Sequence, residues 1–409
     1  MTDAETLADR VREGELRLHE LEEHADHETA VAARRLLIEE ETRTSLETVG
    51  DYSFAAAVAT GTNIENMIGA AQVPMGVAGP VPIDGGAADG EYYLPLATTE
   101  GALLASVNRG LSVIRSAGGA TARVTKNGMT RAPVFRVDGV AEAAETVAWV
   151  EENLESLREA AESTTNHGEL LGVEPYVVGD SVYLRFAYDT KDAMGMNMVT
   201  IATREVCAVV EAETPASLVA ISGNLCSDKK PAAINAVEGR GRSVTADVVI
   251  PGELVEERLH TTADAIVEAN TRKNLIGSAK AGSLGFNAHA ANVVGAAFLA
   301  TGQDEAQVVE GANAITTMDT REREDGTVDL YASVSLASLE VGTVGGGTKL
   351  PTQSEALEVM GLRGGGDPAG ANADALAEVI AVGALAGELS LLAALASRHL
   401  ASAHEELGR

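Results

Sequence analysis

The side chains best suited to chemistry are concentrated in one basic segment, SDKKPAAINAVEGRGR at 227–242. The full chain of 409 residues has 30 Lys plus Arg against 61 Asp plus Glu, a formal net charge of −31, so a local cluster of cations needs an explanation. One explanation is a solvated loop that is balanced by acids elsewhere. We favour a pocket for an anionic substrate, because one lysine can hold a carboxylate while another stabilises a developing oxyanion. The charged residues of the segment are Asp228, Lys229, Lys230, Glu238, Arg240 and Arg242.

Other polar candidates lie far apart along the chain, and each also has a common structural explanation. Glu100 stands at the predicted start of an apolar helix, where an acid ordinarily stabilises the helix dipole. His289, Asn292 and Asp304 lie on or beside a stretch rich in small residues, where a single His is more often a satisfied core residue than a catalyst. Near the C-terminus the default for histidine is surface solvation, and two histidines stand there, His399 and His404.

Two glycine-rich segments are candidates for binding phosphate groups, DAMGMN at 192–197 and GTVGGGT at 342–348. Neither has the spacing GxGxxG, and the first follows an antiparallel strand in the predicted fold, so a Rossmann domain is not indicated. A strand that runs into DAMGMN still places free backbone N–H groups and the positive end of a helix dipole at one point, with no Cβ at Gly195. Structural turns are the commoner explanation, so the pattern indicates only a candidate dinucleotide site.

The composition excludes several classes of protein. Aromatic residues make up 3% of the chain and apolar residues 45%, so the core must be built from Ala, Val, Leu and Ile. A charge of −31 repels phosphate backbones and anionic lipids, which argues against nucleic-acid and membrane partners. An acidic, lysine-poor surface is typical of proteins kept soluble in very high salt, where the Debye length falls to about 3 Å at 1 M. An ordinary acidic bacterial protein is the alternative.

Three features predict a soluble, cytoplasmic protein. The cysteines, Cys207 and Cys226, are too few for a disulfide framework and fit a reducing compartment. The N-terminal residues are acidic where a signal peptide needs a basic region and then an apolar one. The most apolar stretch, 379–397, is interrupted by Glu388 and rich in Ala and Gly, so we interpret it as a buried core helix rather than a membrane span.

The periodicity predicts an α+β fold in three parts. Residues 1–60 are expected to form an N-terminal helical segment. Residues 133–221 predict the order β-α-β-β-α-β of a ferredoxin-like domain, inserted into a larger and mainly helical substrate domain. The segments of that larger domain are 61–132 and 222–409.

Taken in order, the motifs resemble those of 3-hydroxy-3-methylglutaryl-coenzyme A (HMG-CoA) reductases. The DKKPAAINxxEGRG form is similar to the biosynthetic class I type, and the acidic composition to its soluble haloarchaeal members. The motifs run from about residue 60 to 404 and comprise ENMIGAAQVPMGVAGP, LATTEGALLASVNRG, GMTRAPV, DAMGMNM, SGNLCSDKKPAAINAVEGRGRSV, KNLIGSAKAG, NAHAANVV, GQDEAQ, ASLEVGTVGGGTKLP and HLASAH.

The resemblance implies that HMG-CoA is reduced to mevalonate and CoA with two NADPH and no metal. Lys229 then stabilises the oxyanion, and Glu100 donates a proton. Asp304 joins their network, and His404 protonates the CoA thiolate, for which the ordinary histidine pKa of about 6.5 is suitable.

The same resemblance assigns binding residues and a homodimer, or a dimer of dimers, with shared active sites. The substrate-binding positions are Glu65, Asn66, Arg131, Ser222, Asp228, Lys230, Lys273, His289 and Asn292, of which Glu65 and Asn66 would reach the site across the subunit interface. The cofactor-binding positions are Asp192, Met194, Gly195, Met196, Asn197, Gly345 and Gly346. The inserted domain would bind NADP.

Two alternatives stay open on the sequence. TTNHGEL at 164–170 has no Arg or Lys where membrane-anchored class I members carry an Arg-containing segment for the 2′-phosphate, so NADPH preference follows only from the resemblance. A class II-type reductase that uses NADH to oxidise mevalonate is one alternative. A catalytically inactive CoA-binding protein of the same fold is the other.

Overall fold

The computed structural model describes residues 3–165 and 167–407, with side chains as far as residue 397. The N-terminal segment is helical, and the carboxylates of Asp3 and Asp26 cap the first turns of its two longest helices by accepting from the Thr6 and Thr29 amides. Shorter helical elements follow each of these two helices. The elements are α1 (Ala4–Arg12), a 3₁₀ turn (Leu18–Glu23), α2 (His27–Thr42), α3 (Glu47–Gly50) and α4 (Ala56–Thr60).

The next part begins the main sheet. β1 (Met75–Gly85) and β2 (Asp89–Ala97) form an antiparallel hairpin, and α5 (Leu103–Ser116) leads to β3 (Ala120–Arg131). The end of β1 pairs in parallel with the start of β3. One face of α5 is apolar and buried, and this burial holds the helix in place. Glu100 lies just ahead of the helix, so its position is held as well.

Residues 134–220 form the second part of the sheet and the helices connected to it. The strands lie in the order β7-β4-β6-β5, and every neighbouring pair is antiparallel. The first helix of the predicted order is divided into two at Asn153, whose backbone is not helical. The elements are β4 (Val134–Arg136), α6 (Val140–Glu152), α7 (Leu154–Glu162), β5 (Glu169–Val178), β6 (Ser181–Asp189), α8 (Met196–Glu213) and β7 (Ser217–Ala220).

The remaining residues alternate helices with long strands. Their helical elements are α9 (Ala233–Val237), α10 (Gly252–Leu254), α11 (Ala263–Ala269), α12 (Ser278–Ala281), α13 (Ala290–Thr301), α14 (Val308–Gly311), α15 (Pro351–Val359) and α16 (Ala371–Leu407). Shorter turns lie between them, π-helical at Val255–Leu259 and Asn270–Gly277 and 3₁₀ at Glu305–Gln307 and Gly346–Lys349. The strands are β8 (Gly241–Ile250), β9 (Ala314–Glu322) and β10 (Val328–Leu339).

The larger part, expected to be mainly helical, combines its helices with a large and mostly antiparallel sheet. β3, β8, β10 and β9 are adjacent in that order. Alanines that favour helices in sequence stand instead in neighbouring strands, where Ala246 and Ala332 are fully buried beside valines. These small side chains let α16 pack closely on β8 and β10.

Strand β3 connects the two parts of the sheet. Its residues 121–128 pair with β8, and its last three residues, 129–131, pair with β6. The sheet is therefore continuous, although the side chains on it form two separate hydrophobic clusters. Arg131 lies at the point where the strand passes from one part to the other.

Helix α16 is the longest helix of the described residues. Its stretch Ala371–Ser397 is long enough to cross a membrane, and its most apolar window of 18 residues has a mean hydropathy of 2.1, but 83% of that window is buried inside the protein. The helix packs against α5, α13 and the sheet. This burial supports the interpretation of the stretch as a core helix.

Candidate active site

Lys229 and Asp304 form an ion pair at the centre of the candidate site. Lys229 Nζ lies 2.8 Å from Asp304 Oδ2, and 45% of the lysine side chain is exposed. The hydrogen bond that Lys229 donates to Asp304 raises the pKa of Lys229, so the ammonium keeps its charge at neutral pH. The structure thus brings together two of the predicted catalytic residues, which are 75 positions apart in sequence.

Asp228 is held by residues on three different elements. Arg240 Nη2 lies 3.1 Å from Asp228 Oδ1, and Gln307 donates to the same oxygen at 2.9 Å. Arg131 Nη1 is 4.0 Å from Asp228 Oδ2, and Arg131 Nη2 donates to Thr200 Oγ1 at 2.8 Å. Burial acts to raise the pKa of Asp228, but the charge of Arg240 and the hydrogen bond from Gln307 outweigh it and lower the pKa.

The other predicted residues of the Lys229 loop lie beside this pair. Lys230 Nζ donates to the Asp228 carbonyl oxygen at 2.9 Å, and its side chain is exposed. Ser222 Oγ is 3.4 Å from Cys226 Sγ in the wall of the loop. Thr200 and Gln307 were not among the predicted site residues, although Gln307 follows Asp304 at a spacing of one helical turn, which is a readable signal.

The two glycine-rich segments meet at one side of a cleft of about 790 Å³. The amide of Thr343 donates to the Asp192 carbonyl oxygen at 2.8 Å, and Val344 pairs with Ala193. Gly195 has φ +87°, and a Cβ there would lie 2.3 Å from Thr190 Cγ2, so both backbone and space require glycine. Lys229, Asp304 and Arg131 line the same cleft.

Helix α8 begins at this cleft. Its first residue, Met196, follows Gly195, and no side chain caps its N-terminus. The 18-residue helix therefore presents free N–H groups and the positive end of its dipole to the cleft, beside Gly345 and Gly346. Met194, Met196 and Asn197 line the cleft as predicted for cofactor-binding positions.

Asp192 does not face the cleft. Its carboxylate accepts backbone hydrogen bonds from Gly366 at 2.9 Å, Gly370 at 2.7 Å and Ala373 at 3.2 Å, and the residue is 5% exposed. The side chain thus anchors the start of α16 to the DAMGMN segment. Only the backbone of Asp192 contacts the glycine-rich loop.

Glu100, Asn292 and His289 form a second group. Asn292 Nδ2 donates to Glu100 Oε1 at 3.2 Å and lies 3.4 Å from His289 Nδ1. The backbone of His289 donates at 2.7 Å to Glu388, a fully buried carboxylate. Glu100 itself is exposed. Lys273, also exposed, contacts Asn274 Oδ1 at 3.3 Å.

The two groups are not joined within the chain. Among the described side chains, no hydrogen bond or ion pair connects Glu100 with Lys229 or Asp304. Asn292 lies in the first turn of α13, and about 14 Å of helix rise separates it from Thr301, just before Asp304. The predicted Glu100–Lys229–Asp304 network is therefore not formed in a single subunit.

Two further predicted residues, Glu65 and Asn66, do not line the cleft. Glu65 and Asn66 are exposed, and Thr62 and Asn63, just before them, line the cleft of their own chain. The side chain of His404 lies outside the described residues. Across residues 3–165 and 167–397, no group of three or more His, Cys, Asp or Glu is arranged to hold a metal ion.

Comparison with known proteins agrees with this geometry. The family model of hydroxymethylglutaryl-coenzyme A reductase matches residues 30–409. The 3-hydroxy-3-methylglutaryl-coenzyme A reductase of Haloferax volcanii is 76% identical over 409 residues and covers both chains completely. That of Halobacterium salinarum is 70% identical over 407 residues, which are 100% of this chain and 99% of the relative. Both relatives are haloarchaeal, in agreement with the salt-adapted composition.

A solved structure gives independent support for the fold. The class II 3-hydroxy-3-methylglutaryl-CoA reductase from Streptococcus pneumoniae, bound to NADPH, has a TM-score of 0.67 and covers 93% of this chain and 100% of its own. The two sequences are 20% identical, so this likeness concerns the fold alone. The sequence matches, with the Lys229–Asp304 pair and the glycine-lined cleft, show that the chain belongs to the hydroxymethylglutaryl-coenzyme A reductase family.

Proposed function

We propose that the protein reduces HMG-CoA to mevalonate and CoA with two NADPH, as a step of isoprenoid lipid synthesis. The observation that carries the proposal is the Lys229–Asp304 pair at 2.8 Å in the same cleft as the glycine-rich segments. The sum of the reaction is HMG-CoA, two NADPH and two protons giving mevalonate, CoA and two NADP⁺. The identities of 76% and 70% to named reductases support it.

Lys229 meets the negative charge that develops on the thioester oxygen when hydride arrives at the carbonyl carbon. A fixed cation at this point stabilises the transition state more than the neutral ground state. The resulting hemithioacetal releases the CoA thiolate and leaves mevaldehyde, which the second hydride converts to mevalonate. Asp304 keeps Lys229 protonated and oriented through both reductions.

NADPH supplies the two hydrides, and the chain offers it a binding site of backbone and dipole. The free N–H groups at the start of α8 favour a pyrophosphate, and glycine at 195, 345 and 346 leaves its approach clear. Met194, Met196 and Asn197 complete this wall. The 133–221 region, with its own hydrophobic cluster and the strand order of a ferredoxin-like sheet, is the proposed NADP-binding domain. It is inserted between 61–132 and 222–409, and 1–60 form the N-terminal segment.

The proton donor Glu100 acts across a subunit interface. Its separation from Lys229 and its exposure in the single chain support a homodimer, or a dimer of dimers, in which each active site takes Glu100 from one subunit and Lys229 from the other. Glu65 and Asn66, both exposed, would contact HMG-CoA from the neighbouring subunit. Lys273, His289 and Asn292 would support Glu100 and the substrate on the same side.

On the Lys229 side, the HMG carboxylate would be bound by the cations Arg131 and Lys230. The proposed pocket would be completed by Ser222 and Asp228. His404 would give a proton to the departing thiolate before it can attack mevaldehyde again, a role that rests on the family motif.

The class I, NADPH-using type is part of this proposal, and the class II-type, NADH-using mevalonate oxidation is the alternative. The purified protein, assayed over a KCl series, should oxidise NADPH only when HMG-CoA is present. Comparing kcat/KM for the two nucleotides decides between the types, since a clear preference for NADH would contradict class I. A protein that binds CoA without any reduction would be the inactive alternative. We further propose that the enzyme acts in the cytoplasm.

A further inference from the structure

Three carboxyl groups share one guanidinium below the Lys229 loop. Arg240, Glu310 and Glu340 are fully buried. Arg240 Nη1 lies 3.0 Å from Glu310 Oε2 and 3.4 Å from Glu340 Oε1, while Arg240 Nη2 contacts Asp228. If all three carboxyls were ionised, this dry cluster would carry an excess of two negative charges. One retained proton removes half of that excess.

Glu340 is the carboxyl best placed to keep that proton. Its Oε2 is buried without a hydrogen-bond partner among the described residues, and burial, followed by the neighbouring Glu310 carboxyl, raises its pKa well above the usual range. Glu310 instead accepts from three donors: the amide of Lys229, Asn235 Nδ2 at 3.2 Å and Arg240. Both oxygens of Glu310 are thus partnered.

The loop above this pair has an unusual backbone. Asn224, Ser227 and Lys229 have φ of +64°, +45° and +60°, a region that residues with a Cβ seldom occupy. Such a conformation persists only where the surroundings hold it. The amide group of Asn235 donates to the carbonyls of Cys226 and Ser227 at 3.2 Å each, and Glu310 accepts the Lys229 amide.

Three residues at a spacing of one helical turn contact this loop from the same side. Asp304 binds Lys229 Nζ, Gln307 binds the Asp228 carboxylate, and Glu310 binds the Lys229 backbone amide. The 3₁₀ turn and α14 place them at positions i, i+3 and i+6. Lys229 is thus held at both ends, at the ammonium by Asp304 and at the main chain by Glu310.

We propose that Glu310 is a positioning residue that holds Lys229 in its left-handed conformation by accepting the Lys229 backbone amide within this buried cluster. The inference rests on the proposed reduction of HMG-CoA. It adds that the catalytic lysine depends on a buried side chain that does not line the cleft.

Two variants of equal shape separate this role from general support of the fold. Glu310→Gln cannot accept from Arg240, Asn235 and Lys229 together, because its amide nitrogen must face one of these donors. We expect kcat for NADPH-dependent reduction of HMG-CoA to fall at least tenfold, with the dissociation constant of NADPH unchanged. Glu340→Gln should keep kcat within a factor of two, since a glutamine amide donates as a neutral carboxyl does.

The proposal would be overturned if Glu310→Gln kept kcat within a factor of two, or if both variants lost kcat equally. An inactive wild-type enzyme would instead refute the function on which it rests. Adding Ser227→Gly to Glu310→Gln should recover at least threefold of the lost kcat, because glycine relieves the strained backbone; no recovery would also count against Glu310. If Glu310→Gln fails to fold, Asn235→Ala tests the same support, and unchanged kcat there would refute it.

Discussion

The Lys229 group and the Glu100 group differ in how completely one chain builds them. Lys229 is paired at 2.8 Å with Asp304 and stands on a loop fixed by a buried ionic cluster. Glu100 is exposed and contacts the neutral amide of Asn292 at 3.2 Å. The charged group of Lys229 has its ion-pair partner within one chain, whereas the exposed carboxylate of Glu100 contacts a neutral amide there. This difference is what the proposed dimer requires, since each chain would then carry two complementary half-sites.

The largest expected effect comes from removing the cation of the first half-site. Lys229→Ala should lower kcat for HMG-CoA reduction by about 10³-fold, since a developing oxyanion loses its main stabilising charge. NADPH binding, measured by fluorescence titration, should be nearly unchanged. Glu100→Gln should abolish reduction in the same way, and loss of NADPH binding in that variant would show that Glu100 is structural instead.

Mixing these two inactive variants tests whether the half-sites belong to different subunits. In a dimer of one Lys229→Ala chain and one Glu100→Gln chain, one site combines the intact halves and the other combines both lesions. Because random pairing makes half of the dimers mixed, co-expression should restore about a quarter of wild-type activity. The matched control is co-expression of Lys229→Ala with Asp304→Asn, two lesions of the same half-site, which should restore nothing. Equal recovery in both pairs, or in neither, would contradict the division.

A smaller and more selective effect is expected at the C-terminus. His404→Gln should reduce overall turnover by about 10²-fold, the usual contribution of a general acid, because the CoA thiolate leaves unprotonated. Reduction of free mevaldehyde, which releases no thiolate, should proceed at the wild-type rate. If both assays lose the same factor, His404 does not protonate the thiolate.

The smallest expected effect is a shift of pH dependence. Asp304 raises the pKa of Lys229, so the lysine stays charged until the pH passes above 10.5, its ordinary value. Asp304→Asn should therefore move the alkaline limit of mevaldehyde reduction to lower pH, in addition to lowering the rate. The rate followed over about pH 8 to 11 checks this, and coincident profiles of the two enzymes would contradict the pairing.

The sequence allowed prediction of those parts of the site that depend on local patterns. The glycine-rich segments and the helix after DAMGMN could be anticipated because short motifs carry them, and the association of Lys229 with Asp304 followed from the resemblance to the family. The side chain of Asp192 could not, since its partners are amides about 175 residues away that meet it only in the folded chain. The buried Glu310–Glu340 pair was missed for the same reason, because isolated acids in an acidic sequence give no signal.

The fold was predictable in its elements but less so in their proportions. Alternating strands joined by helices gave the order of the 133–221 region, while the break at Asn153, whose side-chain amide donates to the Trp149 carbonyl oxygen, was not anticipated. The extent of the sheet in the larger part was not anticipated because alanine favours helices, although Ala246 and Ala332 are buried in the strands on which α16 packs.

The continuity of β3 determines where the protein can bend. Two chain segments join the 134–220 part to the rest, and one of them, Arg131–Val134, lies inside the sheet, where Ala132 and Pro133 also accept hydrogen bonds from Gly223 and Leu184. The other segment is the loop that carries Lys229. The connection between the two parts and the support of the Lys229 ammonium are therefore built from the same stretch of chain, so that the placement of one part on the other and the placement of this charge are mechanically linked.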